Sequence, residues 1–233
     1  MIDRYTIHST PQEIAQRFNI RMDESLESEY NAAPTKKLPV IVNVAKEGLS
    51  YFYWGIIAKW SNQKSISAKL INAPLSELSK KATLKSGLEQ RRCIIPCNGF
   101  YLWKTVGKNS KRPYYFKLNN EPLIGMAGIW EDYDDLDGKM LHTFRVLTTP
   151  NQLGIPEFGP EMPAILQRND EQKWIKPNQT FDELTSLIKP LDSINNISFH
   201  PVAPLITNID YNFPEMIKIQ PSIDQKGNYT LFE

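Results

Sequence analysis

The sequence predicts an α+β protein built mainly from antiparallel β-strands, with a few helices at the periphery. Two observations carry this prediction: many short apolar or alternating stretches are separated by turn residues, and a few segments begin with helix-start signals. The length of 233 residues fits one domain over residues 1–233. The predicted strands are 38–43, 50–55, 69–72, a bent strand or strand pair over 92–104, 123–130, 142–149 and 198–202.

Two of the predicted helices begin with a capping box. Thr10 is followed by Pro11 and Glu13, and Thr180 is followed by Glu183. In this pattern the Thr side chain accepts a backbone N–H at the third helical position, and the Glu side chain accepts the N–H of the Thr. The pattern predicts helices over about 11–19 and 180–188. The other predicted elements are helices over 76–88 and 170–175, a turn at 30–34 and a polar hairpin loop at 106–112.

Composition excludes several classes of protein. No run approaches the roughly 18 apolar residues of a membrane helix, and the N-terminus shows no apolar signal region. Two cysteines cannot form a disulfide framework, which suits a reducing cytoplasm. We interpret Cys93 and Cys97 as buried core thiols, against a redox or metal pair, because free cysteine is usually buried. With three scattered histidines, no metal site and no cofactor are predicted.

Charge is distributed unevenly along the chain. Residues 59–112 hold 12 of the 27 Lys and Arg but only two of the 26 Asp and Glu, so this window carries +10 and the rest of the chain −9. Such asymmetry favours an anionic partner for one face. The alternative is a solvated basic surface that binds nothing.

Separated motifs along nearly the whole chain resemble one protein family. They are RY at 4–5, YNAAP at 30–34, WG at 54–55, INA at 71–73, RRCIIPCNGFYLW at 91–103, AGIWE at 127–131, FRVLTT at 144–149, MPAIL at 162–166 and HPV at 200–202. No single motif is specific, but their order and spacing resemble the SRAP family, the SOS response-associated peptidases. The resemblance implies a compact, β-barrel-like antiparallel core with flanking helices.

The resemblance also implies a function in the DNA damage (SOS) response. Members of the family bind single-stranded DNA and crosslink to abasic sites through a cysteine at the mature N-terminus. A glutamate, a histidine and an asparagine surround that cysteine, and removal of the start residue gives the family its peptidase-like description. Single-stranded or abasic-site DNA is therefore the expected partner.

At the positions of these reactive groups the chain departs from the family pattern. Ile2 stands in place of the cysteine, Leu102 in place of the glutamate, and Pro156 in place of the histidine, whereas Asn72 is retained. Isoleucine has no nucleophilic atom, and leucine cannot transfer a proton. The chain is therefore predicted to lean towards catalytic inactivity. We expect Ile2 to pack into the core.

Three further positions depart from the family pattern. Asn98 stands for an aspartate, and Pro74 and Glu161 each stand for an arginine. Glu161, Glu157 and Glu77 are candidates for a surrogate acid, although a solvated surface carboxylate is the more ordinary interpretation of each. The α-amine of Met1 is a further candidate, since a neutral amine can form an imine with an aldehyde.

Candidate DNA-binding residues come from the retained motifs and the basic window. Lysines and arginines are suited to phosphate contacts and Trp60 to base stacking, whereas Trp54 and Trp103 are expected in the core. His200 is equally suited to a structural hydrogen bond or to the edge of the active site. The candidates are Asn31, Pro34, Lys59, Trp60, Lys69, Lys85, Arg91 and Arg92.

Three hypotheses follow for the function. The first is non-covalent binding of single-stranded or damaged DNA, which the basic window favours. The second is residual abasic-site chemistry with an unexpected nucleophile, which the changes at Ile2, Leu102 and Pro156 disfavour. The third is a catalytically inactive scaffold that binds a protein partner. The changes at the three positions are compatible with this hypothesis, but it leaves the basic window unexplained.

Overall fold

The computed structural model describes residues 2–21, 25–43, 48–57, 66–67, 70–106, 110–134, 140–191, 193–221 and 223, without the side chains of 56, 57, 66 and 67. The strands are β1 (Arg4–Ile7), β2 (Glu29–Ala32), β3 (Lys37–Val42), β4 (Ser50–Trp54), β5 (Ile56–Ile57), β6 (Ile66–Ser67), β7 (Asn72–Pro74), β8 (Arg92–Cys97), β9 (Gly99–Val106), β10 (Ser110–Leu118), β11 (Ile124–Asp134), β12 (Met140–Pro150), β13 (Glu161–Pro163) and β14 (Ile197–Pro201). The helices are α1 (Pro11–Phe18), α2 (Leu75–Leu78), α3 (Ala82–Gln90), α4 (Arg168–Trp174) and α5 (Phe181–Leu187).

The larger sheet closes on itself as a barrel. Its strands follow the order β11-β8-β3-β4-β12, and β12 pairs again with β11. Most pairs are antiparallel, but β12 runs parallel to β4 and to β7. The predicted α+β class with a mainly antiparallel, barrel-like core is therefore confirmed, and closure leaves few unpaired strand edges.

The second sheet has the order β14-β10-β9-β1-β2, and every pair in it is antiparallel. Asn98 separates β8 of the barrel from β9 of this sheet, and its backbone N–H donates to the Thr6 carbonyl. The chain start therefore lies where the two sheets meet. β1 pairs with β9 in the register Arg4 opposite Tyr101.

Both predicted capping boxes form. Thr10 accepts from the backbone N–H of Glu13 at 3.2 Å, and Glu13 accepts from Thr10 N at 2.7 Å. Thr180 and Glu183 repeat the arrangement. No helix in the described part of the chain is both long and apolar enough to cross a membrane.

Four local predictions need correction. The segment 76–88 forms two short helices, α2 and α3, with a turn at 79–80 between them. The hairpin strands extend into the predicted loop 106–112, because Val106 pairs with Ser110. The predicted strand 69–72 begins only at Asn72 within the described residues, and most of the predicted turn 30–34 belongs to β2.

Candidate functional site

An asparagine side chain clamps the start of the chain. The side chain of Ile2 is fully buried, as expected, and its carbonyl oxygen accepts a hydrogen bond from Asn72 Nδ2 at 2.7 Å. Asn72 reaches this position because it opens β7, which runs beside β12 with Asn72 opposite Val146. The amide oxygen of Asn72 is buried and has no hydrogen-bond partner among the described residues.

Two further contacts fix the next residues. Trp103 Nε1 donates to Asp3 Oδ1 at 3.1 Å, and Arg4 Nη1 donates to the Asp3 carbonyl at 2.6 Å. Arg4 Nε also donates to the carbonyl of Ile206 at 3.4 Å. The carbonyls of Ile2 and Asp3 are thus held by Asn72 and Arg4, and the Asp3 carboxylate is held by Trp103. Trp103 was expected in the core, but it is half-buried and its ring N–H takes part in this clamp.

Leu102 lies on β9 beside this clamped start. The register of β1 against β9 brings Tyr101 opposite Arg4, so Leu102 is next to the segment that enters β1. Leu102 is fully buried and belongs to the same hydrophobic cluster as Ile2. The two positions at which the family resemblance implies a nucleophile and an acid therefore hold buried apolar side chains.

Pro156 begins a short 3-10 helix, Pro156–Phe158, that packs on β9. The ring of Phe158 also packs on β10, where it makes edge contacts with Tyr114 and Phe116 at centroid distances of 5.1 and 5.0 Å. Pro156 itself is exposed and has no proton to transfer. The structure brings this segment to β9, the strand that carries Leu102, but Pro156 supplies no acid or base there.

Glu161 is bound to the strand next to β7. Its Oε2 accepts from Thr148 Oγ1 at 3.0 Å, and Thr148 in turn is paired with Pro74 on β7 and with Pro163 on β13. A carboxylate therefore lies beside the strand that carries Asn72. Its negative charge disfavours a phosphate group at that place.

Two predicted DNA-binding residues lie in the interior and hold the fold. Arg92 is fully buried and donates to four backbone carbonyls, two at the end of α3 and two at or after the end of α4. Asn31 is buried, and its Nδ2 donates to the carbonyls of Asn208 and Tyr211 at 2.9 and 3.0 Å. Because these donors are already used, neither side chain can contact a phosphate in this conformation.

The other predicted contacts are distributed as follows. Lys85 is exposed on α3, with its Nζ 5.5 Å from the centre of the Phe181 ring. Arg91 is half-buried at the end of α3, and Pro34 is buried. Lys59, Trp60 and Lys69 lie outside the described residues, as does Met1, so their predicted roles stay predictions.

Other side chains singled out in the sequence have structural partners. His200 Nε2 lies 2.8 Å from the carbonyl of Ile217. Cys93 and Cys97 are free and buried, as predicted, and burial raises the pKa of Cys97 to about 12. Trp54 is in the core, where its Nε1 donates to the carbonyl of Ile71. No group of three potential metal ligands occurs in the part of the chain that the structure describes.

Several known proteins are similar to this chain. The abasic site processing protein YoqW of Bacillus subtilis (strain 168) is 33% identical over 224 residues, which cover 94% of this chain and 99% of that protein. YoaM of the same organism is also an abasic site processing protein. It is 30% identical over 223 residues, which cover 93% of this chain and 97% of that protein. HMCES of Rattus norvegicus is 27% identical and covers 81% of this chain and 64% of its own length.

The fold is also shared with solved structures. A crystal structure of a protein from Bacteroides thetaiotaomicron superposes with a TM-score of 0.79 at 25% identity, and covers 93% of this chain and 99% of that one. Residues 1–209 match the family described as SOS response associated peptidase (SRAP). The chain therefore belongs to the SRAP family.

Proposed function

We propose that this protein binds single-stranded DNA non-covalently in the DNA damage response and forms no covalent adduct at abasic sites. The observation that carries the proposal is the apolar pair Ile2 and Leu102, both fully buried beside the clamp made by Asn72. A thiazolidine needs a thiol as well as the α-amine, and proton transfer needs an acid or base; neither side chain supplies these groups.

Three considerations support DNA as the ligand. The relatives YoqW, YoaM and HMCES are abasic site processing proteins. The basic window of residues 59–112 carries +10. Within it, Lys80 and Lys81 are exposed in the turn between α2 and α3, and Lys85 is exposed on α3, so positive charge lies on the segment that follows β7, the strand that carries Asn72.

Lys85 is the best described phosphate contact. Its Nζ lies 5.5 Å from the centre of the Phe181 ring, and no acidic side chain in the described part of the chain forms an ion pair with it. Lys80 and Lys81 share the carboxylate of Glu77 at 3.1 and 3.3 Å, and this pairing reduces the charge that they offer. A free ammonium contributes affinity without base specificity.

Fluorescence anisotropy with a labelled 20-nucleotide single strand tests the binding. We expect saturable binding that weakens with salt, with a slope of about −0.7 in the log–log plot for each phosphate contact. Lys85→Gln should reduce the magnitude of that slope by about one contact. Lys218→Gln removes an exposed lysine from the C-terminal region and serves as the control with no expected change. No saturable binding at low salt would contradict the proposal.

A second candidate function is the binding of a protein partner. Three exposed apolar side chains lie close together in the sequence at Leu205, Ile209 and Tyr211, on the segment that Asn31 holds against β2. Exposed apolar groups of this kind occur at protein interfaces. Loss of DNA binding in the anisotropy assay would favour this candidate.

A further inference from the structure

The polar side chains beside the chain start lie on one face of the barrel wall. β7 runs parallel to β12, with Asn72 opposite Val146 and Pro74 opposite Thr148. Paired residues, and residues two apart along a strand, point to the same face, so Asn72 and Thr148 share one face. Their Cα atoms are roughly 8 Å apart, because the offset is about 6.6 Å along the strands and about 4.8 Å across them. Glu161 belongs to the same face, since its carboxylate is bonded to the Thr148 hydroxyl.

This face offers hydrogen-bond acceptors that the fold itself leaves unused. The amide oxygen of Asn72 is buried and has no partner among the described residues, because the bond to the Ile2 carbonyl uses the other amide atom, Nδ2. The carboxylate of Glu161 is half-buried, and Thr148 Oγ1 engages only its Oε2. A buried acceptor without a donor is destabilising, so a ligand that brings N–H groups gains a bond that the fold leaves open.

The same face lacks the positive charge that the family resemblance implies. The two positions at which the resemblance implies arginine, Pro74 and Glu161, both flank Thr148. A neutral ring and a carboxylate stand there instead, so the formal charge of the two positions is −1 in place of +2. A phosphate is repelled by a carboxylate and has no N–H to donate to these acceptors. The face is therefore suited to a ligand group that donates hydrogen bonds.

Unpaired nucleic acid bases carry such groups. Cytosine and adenine each have an exocyclic amine, and carboxylates in DNA-binding proteins accept hydrogen bonds from the N4 amine of cytosine. A hydrogen bond to an ionised acceptor is roughly twice as strong as one between neutral groups. Uracil has a carbonyl oxygen at the position of that amine, and its single N–H on this edge is flanked by two carbonyl oxygens, which a carboxylate repels.

We propose that the face formed by Asn72 and Glu161 binds the amine-bearing edge of an unpaired base. This inference rests on the proposed binding of single-stranded DNA and assigns the class of base that is favoured beside the chain start. Phosphate contacts at the exposed lysines supply affinity, and Glu161 supplies a preference among bases. Thr148 is a positioning residue, because its hydroxyl fixes one oxygen of the carboxylate.

Two strands that differ only at the hydrogen-bonding edge of the base test this preference. Fluorescence anisotropy compares the dissociation constants of a 20-nucleotide oligodeoxycytidine and a 20-nucleotide oligodeoxyuridine at the same salt concentration and at neutral pH. We expect the protein to bind the cytidine strand about tenfold more tightly, in line with the discrimination that a well-placed base contact provides.

Two variants separate base recognition from simple charge repulsion. Glu161→Gln should bind the uridine strand more tightly, because it removes a negative charge near the phosphates, and should abolish most of the preference for cytidine. Thr148→Val keeps the charge of Glu161 but removes the hydroxyl that orients it, so it should reduce the preference without a gain for the uridine strand. Glu215→Gln removes an exposed carboxylate of the C-terminal segment and should keep the parent preference. Circular dichroism confirms that each variant is folded.

The outcomes distinguish this inference from the proposed function on which it rests. Equal affinities of the parent protein for the two strands would overturn the inference and leave DNA binding in place. A Glu161→Gln variant that gains affinity for both strands by the same factor would also overturn it, since Glu161 would then act by charge repulsion alone. No saturable binding of either strand would contradict the proposed function, and the inference with it.

Discussion

At the residue scale, the site depends on hydrogen bonds that fix the first residues of the chain. Asn72 holds the Ile2 carbonyl, and Trp103 holds the carboxylate of Asp3. The motif resemblance predicted Asn72 and the replacement at Ile2, since Asn72 lies within the INA motif and Ile2 lies two residues before the RY motif. The hydrogen bond of Trp103 to Asp3 was not predicted, because the two residues are 100 positions apart in the sequence and no local pattern indicates such a contact.

Asn72→Asp should destabilise the fold at neutral pH. The substitution removes the donor to Ile2 O and brings a carboxylate towards a carbonyl oxygen, which costs about 1–3 kcal/mol of unfolding free energy for a buried group. Urea denaturation monitored by circular dichroism measures the loss. Asn195→Asp, at an exposed position, is the control and should change stability little. Equal unfolding free energies of the two variants would show that the hydrogen bond from Asn72 to the Ile2 carbonyl contributes nothing to stability.

At the scale of elements, local signals were reliable and long-range pairing was not visible. Both capping boxes were predicted, because they involve residues three apart. The parallel pairing of β12 with β4 and β7, which helps to close the barrel, joins segments distant in the sequence. The interior role of Arg92 was missed for the same reason: two of its acceptors lie more than 80 residues away.

Arg92→Met should cost about 3 kcal/mol or more, because it leaves four backbone carbonyls without their donor and each lost partner in a buried site costs about 1–3 kcal/mol. Thermal and urea unfolding measure this loss. Lys85→Gln is the matched control, since it removes an exposed cation of the same basic window and should leave stability unchanged. A larger loss of unfolding free energy for Lys85→Gln than for Arg92→Met would contradict the interior role of Arg92.

The capping boxes predict a pH dependence. Backbone hydrogen bonds from Thr10 and Thr180 lower the pKa of Glu13 and Glu183 below 4.5. The folded state therefore binds fewer protons, so this stability is present above pH 4.5 and is lost as the pH falls through the lowered values. Glu183→Gln should be less stable than the parent at pH 7, and the difference should shrink near pH 3. A difference that grows in acid would contradict this assignment.

At the scale of the whole molecule, the protein has the fold of the SRAP family. The chain start, β7 and β9 converge on one place, and that place holds Ile2, Asn72 and Leu102. The sequence predicted this composition, whereas the carboxylate of Glu161 bound to Thr148 on the neighbouring strand emerged only from the sheet register. Together these features favour binding without covalent chemistry.

The most direct test is a denaturing gel of the protein mixed with single-stranded DNA that carries one abasic site. Parallel samples are run on a native gel and after treatment with borohydride, which traps an imine formed by the N-terminal amine. We predict a salt-sensitive shift on the native gel, and on the denaturing gel only free DNA, with or without borohydride. A heat-stable adduct on the denaturing gel would contradict the central claim, since it would show that the chain retains a nucleophile despite Ile2 and Leu102.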